Sequence, residues 1–311
     1  MTGKSNEWLA RRKTGIGGSD VAAVLGLSPW KTPLGVWMDK TGRSDQVEET
    51  EAMYWGNVLE DIVAREFARR HEVKIEKRNK LFRHAEHACL VANIDRWIVG
   101  GEILECKTSG WARDWGEDGD NVPFPYLCQV AHYMNVLDVP AAWIAVLIGG
   151  NKYRDYHIPR NERLEQAIVT RCVEFWNRHV IADIPPPPQS LADVEALYRE
   201  GGSEGSVIAP AEIEAAVYDL ARRKLEIKEL AELAESLEMQ IKAAIGESSE
   251  LVAPDGSPLA TWKKTVTRRL DSKSLKNDLP DIAGKYTTET ESRRFLVKLN
   301  PAKNEKETTN D

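Results

Sequence analysis

The chain has 311 residues and a net charge of −7, with 42% hydrophobic and 29% charged residues. This length allows about two domains, and the composition is typical of a globular protein, so we expect no membrane span, no collagen repeat and no secretory leader. The four cysteines are widely spaced, which predicts free thiols in a reducing cytosol and no zinc or iron–sulfur site. The negative charge does not exclude a nucleic-acid partner, because a local basic groove is enough to hold phosphates.

Helical periodicity dominates the first 71 residues. It predicts helices at 6–12, 21–25, 33–41 and 51–71, with a glycine-rich turn at 14–20. Ser19 or Asp20 is expected to cap the helix at 21–25, and Gly42 to end the next one. The apolar stripe of the fourth helix is predicted to be Trp55, Leu59, Ile62, Val63 and Phe67.

Strand signals follow and then alternate with helical ones. Short strands are predicted at 80–83, 88–94, 96–99 and 103–107, with a turn at Gly100-Gly101 between the last two. A helix at 126–137, strands at 141–148 and 152–158, and a helix at 162–181 come next. This order predicts an α/β fold in which a mixed sheet is flanked by helices.

Four consecutive prolines at 185–188 predict a stiff spacer. We therefore predict a core domain at 1–184, a proline linker at 185–190, a helical and β-hairpin extension at 191–300, and a disordered tail at 301–311. In the extension, helices are expected at 191–199 and 211–245, and a turn at 254–256 precedes a strand at 261–270. The long helix is either a coiled-coil arm or packs back on its own chain, and the second arrangement is favoured.

The stretch with the clearest chemistry is Asp95 followed by Glu105-Cys106-Lys107. Residues two apart on a strand face the same side, so Glu105 and Lys107 project together, Cys106 points away, and the hairpin returns Asp95 beside them. Oxygen ligands of this kind suit Mg²⁺ or Mn²⁺, with Asp95, Glu105 and the Cys106 backbone carbonyl as ligands. Lys107 would orient a water or stabilise charge that develops on a phosphate. The alternative is a surface hairpin with an ordinary Asp95–Lys107 salt bridge.

Two helices that flank the predicted sheet carry further candidates. Glu60, in the run Gly56–Glu60 before the sheet, would bring a third carboxylate to the metal, although it is also compatible with a solvated helix face. Gln129, on the helix after the sheet, is a polar residue in an apolar helix that would contact the reacting phosphate. For its neighbours His132 and Tyr133, simple helix packing is the favoured interpretation.

Five short motifs occur in a fixed order, and together they resemble the YqaJ-like viral recombinase family, relatives of the phage lambda exonuclease with the PD-(D/E)xK nuclease fold. The resemblance covers about residues 5–180. The motifs are Ile16-Gly17-Gly18-Ser19, Gly56–Glu60, Ile94-Asp95, Glu105-Cys106-Lys107 and Gln129–Met134. Ile94 stands where the family signature has proline, and this departure touches no predicted ligand.

The resemblance implies a PD-(D/E)xK core with Asp95, Glu105, Lys107, Glu60 and Gln129 at its catalytic site. It implies a Mg²⁺-dependent exonuclease that degrades linear duplex DNA 5′ to 3′ and exposes a 3′ overhang for phage-type recombination. It also implies duplex DNA ends and a single-strand annealing protein as partners, a closed homo-oligomer (a trimer by analogy), and action in the cytoplasm of a bacterial host, with a phage or prophage origin.

The resemblance further implies a pocket for the 5′-phosphate. The family uses an arginine and, seven residues later, a serine, and Arg12 and Ser19 have this spacing. The alternative for Arg12 is a place in an ordinary surface cluster with its basic neighbours. Two other functions remain open at this stage: an endonuclease on the same fold, and a non-catalytic DNA-binding accessory protein for recombination.

Tryptophan is abundant, with ten residues. Trp30, Trp111 and Trp115 fall in predicted loops, where they would stack on bases or simply pack. Core positions are expected for Trp55, Trp143 and Trp176.

Overall fold

A computed structural model describes residues 12–44, 49–116, 121–201, 205–289 and 293–298. The chain divides into two compact units, Met1–Tyr198 and Arg199–Asp311. The predicted tail at 301–311 and all but the last residue of the predicted helix at 6–12 lie outside the described residues.

The first unit has a mixed sheet of five strands in the order β1-β4-β5-β6-β7. Strands β5 and β6 are parallel, the other neighbours are antiparallel, and β2 and β3 form a separate antiparallel pair. The strands are β1 (Ile75–Glu76), β2 (Phe82–Arg83), β3 (Val91–Ala92), β4 (Arg96–Ile98), β5 (Glu102–Ser109), β6 (Ala141–Ile148) and β7 (Lys152–Pro159).

Helices cover both faces of this sheet. They are α1 (Gly18–Val24), α2 (Pro33–Thr41), α3 (Glu51–His71), α4 (Phe124–Leu137), α5 (Glu162–Phe175) with a π-helical continuation at Trp176–Ile181, and α6 (Leu191–Leu197). The larger core includes residues of α1, α2, α4, α5 and β6, whereas a smaller one joins α3 to β5 and β6. Strand β6 is buried on both faces, as its continuous apolar run predicts.

The predicted fold class is confirmed: an α/β unit with a mixed sheet flanked by helices, followed by a helical extension. Strands β4 and β5 are adjacent and antiparallel, as the predicted hairpin requires. Helix α2 ends at Gly42, whose positive φ of 77° is tolerated by glycine.

Several local predictions were wrong. Helix α1 begins at Gly18, so Ser19 and Asp20 lie in its first turn, where Asp20 Oδ2 accepts a hydrogen bond from the N–H of Gly17, 3.1 Å away. On α3 the buried residues are Val63, Ala64 and Phe67, which pack against Leu104 and Ala145 of the sheet in the smaller core. Trp55, on an early turn of α3, is 51% exposed.

The other tryptophans also differ in burial. Trp115, predicted in a loop, is only 6% exposed and belongs to the larger core. Trp143 and Trp176 are partly buried against the cores, as expected for packed residues. Trp30 and Trp111 are exposed.

The second unit is built on one long helix. Its elements are α7 (Ala211–Ile245), β8 (Glu250–Val252), β9 (Pro258–Thr261), α8 (Ser272–Asp278) and α9 (Pro280–Lys285). Strand β9 therefore lies before the predicted 261–270, and α8 and α9 were not predicted. On α7 only Ala221 and Ile245 are buried among the described residues. No helix within the described ranges is long and apolar enough to cross a lipid bilayer.

Helix α6, predicted as part of the extension, packs on the first unit. Thr32 Oγ1 donates a hydrogen bond of 2.8 Å to Asp193 Oδ1, and Leu197 packs against the larger core. The first unit thus runs past the predicted boundary at 184 and ends at Tyr198.

We expect a truncated chain ending at residue 198 to unfold in one cooperative transition, because the sheet and all its covering helices are then complete. A chain ending at 188 should also fold but melt about 4–8 °C lower, because it loses the charged hydrogen bond to Thr32, worth about 2 kcal/mol. Circular dichroism melts of both chains measure this difference. Absence of a cooperative transition in 1–198 would show that the second unit is needed for folding.

Candidate active site

Asp95 and the residues of β5 meet where β4 begins. The register pairs Arg96 with Leu104, which places Asp95 beside Glu105 and Cys106. The backbone N–H of Cys106 donates a hydrogen bond of 2.8 Å to Asp95 Oδ2 and so fixes this carboxylate. The Cys106 side chain packs in the smaller core on the opposite face, as the strand alternation predicts.

Lys107 is held between Glu105 and Gln129. Its Nζ donates hydrogen bonds to Glu105 Oε1 at 2.7 Å and to Gln129 Oε1 at 2.9 Å, and Gln129 Nε2 donates to the same Glu105 oxygen at 2.5 Å. Glu105 and Gln129 are buried, with 4% and 7% exposure. The group is therefore a buried polar cluster, and the alternative of an ordinary surface salt bridge between Asp95 and Lys107 is not what the structure shows.

The pKa values of both Asp95 and Lys107 are raised in this cluster. Burial raises the pKa of Asp95 well above its usual value, and the nearby carboxylates of Glu105 and Glu60 raise it further. Burial lowers the pKa of Lys107, but Glu105 and Asp95 outweigh this effect, so the net shift is upward. Lys107 is therefore an ammonium ion at neutral pH that donates hydrogen bonds.

A cavity of about 540 Å³ opens over these side chains. The residues that line it include Arg12, Glu60, Lys77, Asp95, Glu105 and Lys107. Both acidic and basic groups thus face one space, as expected where phosphates and a cation meet.

Glu60 reaches the cavity from α3, but its carboxylate already has partners. Arg96 donates to Glu60 Oε1 at 2.6 Å, and Lys77 Nζ lies 3.1 Å from the same oxygen. The structure therefore brings Glu60 to the site as predicted, while its role as a metal ligand stays a prediction.

Arg12 and Ser19 lie side by side. Arg12 NH2 donates a hydrogen bond of 3.1 Å to Ser19 Oγ, and Arg12 lines the same cavity as Asp95 and Lys107. Lys40 Nζ donates to the Arg12 carbonyl oxygen at 2.9 Å and to Asp20 Oδ2 at 2.6 Å, which ties this turn to α2. Burial raises the pKa of Asp20, but the ammonium of Lys40, followed by Lys31 and Arg12, lowers it below its usual value overall.

Gly18 explains how this turn comes so close to α4. A Cβ atom at Gly18 would clash with the ring of Tyr133 and lie 2.9 Å from Gln129 Cγ. Only glycine allows this approach, so the start of α1 lies directly beside α4, the helix that carries Gln129 and Tyr133.

Sequence reasoning missed two basic residues of the site. Arg96 is 3% exposed and pairs with Glu60 and Asp61, and Lys77 also pairs with Glu60. A charged residue within the apolar run that forms β4 was the available signal for Arg96. His132 packs as expected: it is fully buried, its Nε2 lies 2.9 Å from the Val91 carbonyl oxygen, and burial lowers its pKa to about 4.

The donor set can be tested against the predicted divalent cation. Glu105 Oε2 is buried without a hydrogen-bond partner among the described residues, and the pKa of Asp95 is raised beside it. A buried carboxylate with an uncompensated oxygen, adjacent to a second, partly buried one, fits a hard cation that takes oxygen ligands. No cluster of three or more His, Cys, Asp or Glu side chains arranged to hold a metal occurs in the described part of the chain, so the ion would rest on Asp95 and Glu105 together with backbone, substrate or water oxygens.

A family model and one full-length relative point to the same family. The YqaJ-like viral recombinase domain matches residues 7–140. The chain is 38% identical over 303 residues to the protein YqaJ of Bacillus subtilis (strain 168), covering 94% of both chains. It is also 27% identical over 150 residues to protein R354 of Acanthamoeba polyphaga mimivirus, covering 44% of this chain and 27% of that protein. This chain belongs to the YqaJ-like viral recombinase family.

Among solved structures, the alkaline exonuclease LHK-Exo from Laribacter hongkongensis is similar with a TM-score of 0.49 and 17% sequence identity. The similarity covers 63% of this chain and 97% of that one.

Proposed function

We propose that this protein is a Mg²⁺- or Mn²⁺-dependent deoxyribonuclease that degrades linear duplex DNA from its 5′ ends. The observation that carries the proposal is the buried Lys107–Glu105–Gln129 cluster beside Asp95, at the wall of a cavity that Arg12 also lines. Membership of a recombinase family supports DNA as the substrate. The product would be a 3′ overhang for a single-strand annealing protein in phage-type recombination.

Each residue of the cluster has a distinct part in this proposal. Asp95 and Glu105, with the Cys106 carbonyl, are the proposed holders of the cation, which when bound lowers the pKa of a water and neutralises phosphate oxygens. Glu60 would join them only by giving up its contacts with Arg96 and Lys77. The Lys107 ammonium donates hydrogen bonds toward water or the phosphate and stabilises negative charge there. Gln129 binds both Lys107 and Glu105 and so fixes their orientation.

Linear and circular duplexes of the same sequence, incubated with the protein and Mg²⁺, test the proposal. An exonuclease degrades only the linear form, and its products retain an intact 3′-ended strand. Cutting of the circle would indicate an endonuclease instead, and cutting of neither would indicate a non-catalytic DNA-binding accessory protein. Chelation of the divalent ion should stop all degradation.

We further propose a closed homo-oligomer, a trimer by analogy, acting in the cytoplasm of a bacterial host. A ring that encloses the duplex would explain continuous degradation from an end, and sedimentation of the full chain measures the number of subunits. A monomer at working concentration would contradict this part without affecting the chemistry.

The Arg12–Ser19 pair is proposed to bind the terminal 5′-phosphate. A guanidinium binds two phosphate oxygens at once, and the exposed serine adds a hydroxyl. A terminal phosphate carries more negative charge than an internal one, so a basic pocket beside the cluster selects DNA ends.

We expect Arg12→Ala to slow degradation of 5′-phosphorylated linear duplex about 10- to 100-fold, because hydrogen bonds to a charged group contribute about 1.5–3 kcal/mol each. Degradation of 5′-hydroxyl duplex should change far less. Lys13→Ala, which removes the adjacent exposed cation, is the matched control and should not alter the ratio of the two rates. Equal slowing of both substrates by Arg12→Ala, or no preference in the wild type, would refute the pocket.

A further inference from the structure

A stack of aromatic rings runs from the surface to the catalytic cluster. Trp30, in the segment between α1 and α2, is 69% exposed. Its ring stacks on Tyr126, with centroids 6.0 Å apart and planes 26° apart, and Tyr126 stacks on Trp115 at 5.5 Å and 23°. These separations are those of favourable offset-stacked pairs.

The inner end of the stack is fixed in the core. Trp115 is 6% exposed and also packs against Tyr156 at a centroid distance of 5.7 Å. Arg154 donates hydrogen bonds to the carbonyl oxygens of Trp115 and Gly116. Tyr126 is therefore held on one side, which keeps Trp30 in a defined orientation on the other.

The middle of the stack touches the catalytic residues. Lys107 Nζ lies 4.8 Å from the centroid of the Tyr126 ring, a distance typical of a cation–π contact. Tyr126 and Gln129 are three residues apart on α4 and so lie on the same side of the helix. Trp30 is thus one ring away from the side chain that contacts both Glu105 and Gln129.

We propose that the exposed face of Trp30 is a binding site for a nucleobase of the DNA strand whose phosphodiester lies at the Lys107 cluster. This inference rests on the proposed nuclease function and adds a base-binding subsite to it. A flat aromatic surface binds every base through its π-face, which suits an enzyme that must accept any sequence as it moves along DNA. The base stacked on Trp30 has left the duplex, so the subsite also favours separation of the terminal base pair.

Binding measurements on the full chain, with no divalent ion present so that DNA stays intact, test this subsite. Fluorescence anisotropy of a labelled 5′-phosphorylated duplex should show Trp30→Ala binding about 5- to 100-fold more weakly, the loss expected for one base stacked on an aromatic ring. Trp30→Phe should recover most of the affinity. Leu27→Ala removes a neighbouring apolar side chain that is 48% exposed and serves as the matched control, with unchanged affinity.

Abasic DNA provides a readout that packing alone would not change. A single abasic site is placed in turn at each of the first few positions of the 5′ strand. At one position, the abasic site should weaken wild-type binding by the same factor by which Trp30→Ala weakens binding of intact DNA. The same abasic site should not weaken binding by Trp30→Ala any further. This coupling identifies the base that contacts Trp30.

Two results would overturn the subsite. One is a Trp30→Ala chain that binds intact DNA like the wild type. The other is weaker binding accompanied by a lower melting temperature and an undiminished abasic penalty, which would mean that Trp30 only packs on Tyr126. The proposed nuclease function is judged separately, by degradation of linear duplex by the wild type with Mg²⁺, so either conclusion can fail without the other.

Discussion

Replacement of Asp95, Glu105 or Lys107 by alanine is expected to lower the rate of linear-duplex degradation by at least about two to three orders of magnitude. The three side chains line one cavity, and electrostatic and metal-positioning groups at such a site are typically worth this much in rate. The measurement is the initial rate of degradation of 5′-labelled linear DNA with saturating Mg²⁺. Circular dichroism melts of the same variants establish that each one is folded.

The matched control is Glu102→Gln, which changes a carboxylate at the start of the same strand. Glu102 accepts a hydrogen bond from Trp143 Nε1 at 2.7 Å and lies near His157, and it is not among the residues that line the cavity. The Glu102→Gln variant should therefore degrade DNA at a rate near that of the wild type. Ca²⁺ in place of Mg²⁺ should support DNA binding with little degradation, because Ca²⁺ has a larger and more flexible coordination shell. A wild-type degradation rate in any of the three alanine variants would show that these residues are not the active site.

The largest expected effect on stability comes from Lys40→Met. Lys40 and Asp20 form an ion pair of 2.6 Å in which the side chains are only 1% and 2% exposed. Removing one partner of a buried pair leaves the other charge uncompensated and typically costs about 3–5 kcal/mol. Denaturant unfolding of the wild type and Lys40→Met measures the change in the free energy of unfolding.

Two variants make this prediction specific. Lys31→Met removes a partly exposed cation from the same group of charges and should cost at most about 1 kcal/mol. The double variant Lys40→Met/Asp20→Asn should recover part of the stability, because no buried charge then remains unpaired. If Lys40→Met unfolds at the same denaturant concentration as the wild type, the pair contributes specificity of structure rather than stability.

The grouping of Asp95, Glu105 and Lys107 could be predicted because it depends on local rules. Strand alternation places Glu105 and Lys107 on one face, and a tight hairpin at Gly100-Gly101 returns the chain antiparallel to Asp95. Gln129 was recognisable as a polar residue in an apolar helix. The Arg12–Ser19 contact depended on family resemblance, because a spacing of seven residues across a glycine turn has no local rule that brings the two together.

What could not be predicted depends on tertiary packing. The Lys40–Asp20 pair joins α2 to α1, and nothing in either helix marks these charges as buried. Trp55 was predicted in the core, but it is 51% exposed, and its Nε1 donates a hydrogen bond of 3.1 Å to Glu51 on the same helix. The packing of α6 on the first unit through Thr32 and Asp193 was likewise not predicted, because the four prolines before α6 indicated a domain boundary.

The position of α4 has a consequence for how activity appears during folding. Helix α4 is the connection between the parallel strands β5 and β6, whose ladder begins where Ile103 meets Ala142. Gln129 therefore reaches Lys107 only when this long-range pairing has formed, and pairings between residues distant in sequence are the slow steps of folding. A chain in which β6 has not yet paired with β5 has Asp95, Glu105 and Lys107, but the connecting helix α4 is not yet held beside them. On the proposed function, nuclease activity would therefore arise late in folding, after β5 and β6 have paired.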